Sequence, residues 1–118
     1  MPFAATGNVS STTSPSVAIV LTTLGADADA TALARTLVEE RLAACVNILP
    51  VMSSVYRWQG RVELDREQQL VIKTETSRVG ALEARIRQLH AYDLPEFLVL
   101  TATGGSSAYL DWVRESVR

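Results

Sequence analysis

The apolar positions fall into two rhythms that alternate along the chain. Val17 to Leu24 (VAIVLTTL) is a short continuous apolar run rich in β-branched residues, which predicts a strand buried on both faces. Gly25 ends it. Ala30, Leu33, Ala34, Leu37, Val38 and Leu42 then recur at helical spacing, with Arg35, Glu39, Glu40 and Arg41 between them. This predicts an amphipathic helix over Ala28 to Leu42, capped by the carboxylate of Asp27 or Asp29. Strand-like residues return from Val46 to Trp58 and from Val62 to Thr74, joined by Gln59-Gly60, which reads as a two-residue hairpin turn. Val79, Leu82, Ile86 and Leu89 mark a second helix, Arg78 to His90, with Thr76 or Ser77 as its cap. Pro95 opens a last strand, Glu96 to Ala102. Ser106 or Ser107 caps a final helix carrying Tyr109, Leu110, Trp112, Val113 and Val117.

The order β-α-β-β-α-β followed by α matches a ferredoxin-like split βαβ sandwich of the α+β class, with an extended central β-hairpin and an extra C-terminal helix. The hairpin is long for its domain. A strand of about 13 residues rising roughly 3.3 Å each spans on the order of 43 Å. A compact domain of about 100 residues is only roughly 35 Å across, from a radius of gyration of about 13 Å. The arm therefore overhangs its own body, and its aromatic tip, Tyr56 and Trp58, calls for cover by a second copy. Within the first arm the apolar phase is even at Val46 and Ile48, odd at Leu49 and Val51, and even again at Tyr56 and Trp58. Side chains alternate with a period of two, so the phase change predicts a break or bend at Pro50, with a weaker interruption at Ser53-Ser54.

Composition narrows the classes. The chain of 118 residues is 47% hydrophobic and 20% charged with a net charge of −2, so one globular domain is expected and no basic patch invites nucleic acid. Met1 to Ser16 has neither charge nor apolar run and is expected to be a disordered tail before a single domain over residues 17–118. The single cysteine, Cys45, points to a reducing compartment, and no stretch is apolar enough to span a bilayer, so the expected location is the cytoplasm. Walker loops, Gly-x-Ser-x-Gly, Cys-x-x-Cys and His-Glu-x-x-His are all missing from the sequence, so no enzymatic activity is expected.

Several stretches together carry a family resemblance. Leu42-Ala-Ala-Cys-Val-Asn-Ile48, Tyr56-x-Trp58-x-Gly60, Leu70-Val-Ile-Lys-Thr74, His90-Ala-Tyr-Asp-Leu-Pro-Glu96 and Tyr109-Leu110-x-Trp112 resemble the CutA family of divalent-cation tolerance proteins. The resemblance runs from Val17 to Val117. It implies a homotrimer whose arms wrap neighbouring subunits, an association with tolerance to copper and other divalent cations, and kinship with the PII signalling proteins, which hold effectors in clefts between subunits. Some members carry a cysteine where this chain has Thr22 and paired histidines where it has Leu89-His90. Of that copper-linked set His90 alone is present.

Each candidate residue has two readings. Cys45 is a soft ligand as thiolate, or a small buried apolar side chain. His90 is a metal ligand, or a helix-ending residue bonded to local carbonyls. Lys73, Glu67, Tyr92 and Glu96 line an effector pocket between subunits, with Lys73 taking an anion, or form structural bonds. The expectation is a homotrimer that binds a metal ion, copper or another divalent cation, or a small effector at its junctions. The alternative is a structural module that docks a protein partner without a ligand of its own.

Overall fold

In the computed structural model the described residues are 15–90, 92 and 95–118. The tail expected at residues 1–16 lies, up to Ser14, outside them, as do Ala91, Asp93 and Leu94 of the loop after the second helix. The elements are β1 (Val17–Gly25), α1 (Ala30–Glu39), β2 (Cys45–Ile48), β3 (Met52–Trp58), β4 (Arg61–Glu75), α2 (Val79–Leu89), β5 (Leu98–Thr101) and α3 (Ser107–Ser116). The antiparallel sheet runs β2-β4-β1-β5, and β3 pairs with the outer half of β4. This is the ferredoxin-like α+β architecture read from the sequence. Among the described residues no helix is long and apolar enough to cross a membrane.

The core lies on one face of the sheet. Even-numbered residues of β1 and β4 point there: Val20, Leu24, Leu70 and Ile72 pack against Leu33 and Leu37 of α1 and Leu82 and Ile86 of α2. A smaller cluster joins Val17 and Ala44 to Val113 of α3 and to Val117 at its C-terminal cap. β1 differs from the reading of a strand buried on both faces. Ala18, Val20 and Thr22 are fully buried, but Ile19 and Leu21 on the opposite face are only half-buried. Its continuous apolar run reflects one packed face and one partly open face.

The helix ends also differ, for local reasons. Asp29 caps α1 by accepting from the backbone N–H of Ala32. The helix stops at Glu39 because Arg41 adopts a left-handed conformation (φ 60°). The N–H of Leu42 then donates to the carbonyl of Leu37, and that of Arg41 to Val38, the paired bonds of a Schellman ending. Neither Thr76 nor Ser77 caps α2. Residues Thr76–Arg78 form a short 3₁₀ turn, and the Ser77 hydroxyl donates to Glu75 instead. Ser106 caps α3 as expected.

The arm is long and joined as predicted. Gln59 and Gly60 both take positive φ, 51° and 81°, the geometry of a two-residue turn that matches strand twist. The described chain measures 52 × 27 × 24 Å, and its radius of gyration of 16.2 Å exceeds the roughly 13.5 Å of a compact domain this long. The break falls at Pro50. Ile48 pairs with Leu70 and Met52 with Glu67, so Leu49 to Val51 oppose only Gln68 and Gln69. One extra residue makes a bulge, and even positions on its two sides face opposite ways. β3 runs through Ser53-Ser54 without a break. Tyr56 and Trp58 therefore do not rejoin the face of Val46, as the phase suggested.

Candidate functional site

The bulge builds a cleft. By putting Met52, Ser54, Tyr56 and Trp58 on the face away from the helices, it brings them alongside Asp65 and Glu67 of β4. Thr23 from the end of β1 and Tyr92, Pro95 and Glu96 from the segment before β5 close the other side, and Arg57 of the arm completes the lining. The cleft holds about 640 Å³, within the usual range for small-molecule sites.

Two of its carboxylates are each held by a neutral donor. The Tyr56 hydroxyl donates to Asp65, and Tyr92 lines the cleft together with Glu67. The Gln69 amide donates to Glu96 at 3.0 Å and to the Thr22 carbonyl at 2.7 Å. The buried Thr22 hydroxyl donates to the Glu96 backbone carbonyl at 2.7 Å, which fixes the start of the last strand against β1. Both phenols stay protonated well past neutral pH. Tyr92 is pushed up to about 12 by desolvation first, then by neighbouring Glu67 and the negative charges of Asp65 and Asp27. Tyr56 is pushed up to about 12, chiefly by its hydrogen bond to Asp65.

Of the sequence-predicted set, Glu67, Tyr92 and Glu96 meet in this cleft and Lys73 does not. Lys73 lies six residues further along β4 than Glu67, and its ammonium donates to the Asn47 side chain at 2.7 Å. Cys45 is half-buried opposite Lys73. His90 follows α2 directly. Its Nδ1 accepts from the backbone N–H of Tyr92 at 3.1 Å, so Nε2 carries the proton and donates to the Thr23 carbonyl. The ring also stands 4.5 Å from that of Tyr92. Cys45 pairs with Lys73 and Thr23 with Gln69, which separates the surroundings of Cys45 and His90 by four positions on β4, on the order of 13 Å. Among the described residues no three His, Cys, Asp or Glu side chains are grouped to hold one metal ion. Met52, Ser54, Arg57 and Asp65 were missed from sequence. The signal for Met52 and Ser54 was the bulge: counting one extra residue at Pro50 puts them, with Tyr56, on the same face as Asp65 and Glu67.

The comparisons agree with this architecture. The sequence model of the CutA1 divalent ion tolerance protein family matches residues 18–116. The divalent-cation tolerance protein CutA of Thermus thermophilus is 47% identical over 98 residues, covering 83% of this chain and 95% of its own length. The chloroplastic CutA of Arabidopsis thaliana is 44% identical over 109 residues, which cover 92% of this chain and 59% of that one. In three dimensions, the PII-like protein CutA from Nostoc, solved in its apo form, superposes with a TM-score of 0.79 at 36% identity, covering 86% of this chain and 97% of its own. With the family model spanning nearly all of the folded part, the chain belongs to the CutA1 family of divalent ion tolerance proteins.

Proposed function

We propose that the chain acts by binding: a homotrimer whose arm lies on a neighbouring subunit and whose cleft takes a small effector or a divalent cation where subunits meet. The cleft carries this reading, because body and arm converge there on three carboxylates, two of them held by fixed donors. Assembly is supported by the outer face of the arm. Val55, Val62 and Leu64 are 69%, 67% and 66% exposed, and on the opposite face of the sheet Leu98 and Leu100 of β5 form a separate open apolar surface beside the body. The relatives' names place the family in divalent-cation tolerance, and the chloroplastic relative shows that its compartment varies.

Among the described residues Cys45 and His90 belong to no group of three His, Cys, Asp or Glu side chains, so a copper site on either would be completed by ligands outside such a group, further copies included. Calorimetric titration with Cu(II), Cu(I) and Zn(II), on wild type and on His90→Ala, Cys45→Ala and Glu96→Gln, assigns the site. Loss of binding in Glu96→Gln alone puts the cation in the cleft. Loss in His90→Ala or Cys45→Ala puts it on those residues. Light scattering checks the assembly, and a monomer would remove the arm-exchange reading. A second reading, docking of a protein partner, is favoured by the exposed Tyr109–Trp112 pair on α3, whose rings lie 5.6 Å apart. A stoichiometric partner captured without metal, and lost on Trp112→Ala, would support it.

A further inference from the structure

The geometry points to an organic cation with two or more separated ammonium groups, of the aliphatic polyamine class, as the ligand of the cleft. This rests on the cleft being a binding site and names what it selects. Charge decides the sign. Among the described lining residues three are acidic, Asp65, Glu67 and Glu96, and one is basic, Arg57, which pairs with Val62 on the other face of β3 by alternation, so the cleft is net negative. The donors that hold Asp65 and Glu96, Tyr56 and Gln69, are neutral: they orient the charge without cancelling it. A concave wall of one sign concentrates counter-ions more strongly than a flat surface would.

Spacing separates an organic cation from a metal ion. Asp65 and Glu67 stand two residues apart on one face of β4, roughly 6.6 Å along the strand. Glu96 lies across the cleft, bonded to Gln69 one further step along that face. Carboxylates set out in a row do not close on one ion, and among the described residues no metal-sized cluster forms. A row of separated charges fits a chain with an amine every few carbons. The remaining lining fits as well. Tyr56, Trp58 and Tyr92 supply aromatic rings, which attract alkylammonium groups, and Met52 and Pro95 supply apolar contact for methylenes. At about 640 Å³ the cleft has room for such a chain.

Calorimetry on the full chain tests this with spermidine, the neutral 1,4-butanediol, the dianion succinate and zinc chloride, on wild type, Asp65→Asn, Glu67→Gln and Lys73→Ala. Lys73 lies outside the cleft and serves as the surface control. The expected result is saturable spermidine binding that falls roughly tenfold in each carboxylate variant, is unchanged in Lys73→Ala, and weakens with added salt. Light scattering and circular dichroism confirm that each variant keeps the wild-type assembly, and with two separate carboxylate variants the loss of one still leaves a readout. Spermidine binding that ignores both variants overturns the proposal. Binding of butanediol, succinate or zinc in the cleft without spermidine overturns the ligand class and leaves the cleft reading standing. Failure of all four probes removes both.

Discussion

The body and the arm share β4 yet meet opposite conditions along it. At its inner end Leu70 and Ile72 are fully buried between two helices. At its outer end Val62 and Leu64, on the same face by alternation, are two-thirds exposed with no helix above them. One strand thus carries a finished core and an unfinished one. The body buries its apolar side chains against its own helices, whereas the arm leaves Val55, Val62 and Leu64 uncovered, the face on which the proposed assembly would rest. Stability should follow the first region and assembly the second.

Four measurements test that division, taken from the largest expected effect. Leu82→Ala removes a fully buried side chain from the main core and should cost about 2–5 kcal/mol in denaturant unfolding, with the assembly unchanged in the folded protein. If it dissociated the oligomer while unfolding stayed the same, the two regions would not be separable. Val62→Lys with Leu64→Lys should do the reverse, taking light scattering from trimer to monomer while the far-ultraviolet circular dichroism stays native. A trimer that survives both lysines would show that this face is not the interface.

The third measurement is alkaline titration. Tyr56 and Tyr92 ionise at about 12 in the fold against 10.0 for a free phenol. A raised pKa means that the folded state holds the proton more tightly. Its contribution is therefore full below pH 10 and is lost as pH rises from 10 to about 12. Tyrosinate absorbance should show Tyr56 and Tyr92 ionising late, and Asp65→Asn should bring Tyr56 down while leaving Tyr92 high. Smallest is Arg41→Gly in the body. It relieves a left-handed backbone at the end of α1 and should stabilise by roughly 0.5–1 kcal/mol, read as a raised melting temperature. A loss of stability would mean that the Arg41 side chain contributes more than its backbone strain costs.

Much of the fold was legible because periodicity and turn chemistry are local. The hairpin turn followed from Gly60, the start of α1 from Asp29 and the start of α3 from Ser106, each satisfied within a few residues. The end of α1 was not legible, because an arginine stands where glycine usually signals a stop. Half of the site was hidden for a different reason. Pro50 announced a break, but the direction of the following side chains depends on pairing with β4, which no local pattern displays. Glu67, Tyr92 and Glu96 were found through their motifs. Asp65 and Met52 needed the register. His90 stood out as the one histidine, yet its Nε2 is engaged by Thr23, 67 positions away in the sequence, where periodicity has no reach.

The bulge at Leu49–Val51 has a consequence for how this arm can change. The faces of β3 are set by its pairing with β4, which the Gln59-Gly60 turn fixes and which runs unbroken from arm to body. At the bulge three residues oppose two, so deleting one would close it and let the ladder run on from β2 to β3 in a single register. Tyr56 would still stand opposite Glu63 and Trp58 opposite Arg61, with Val55 on the other face. This segment is therefore a place where the chain can lose one residue without exchanging the arm's polar, aromatic face for its aliphatic one.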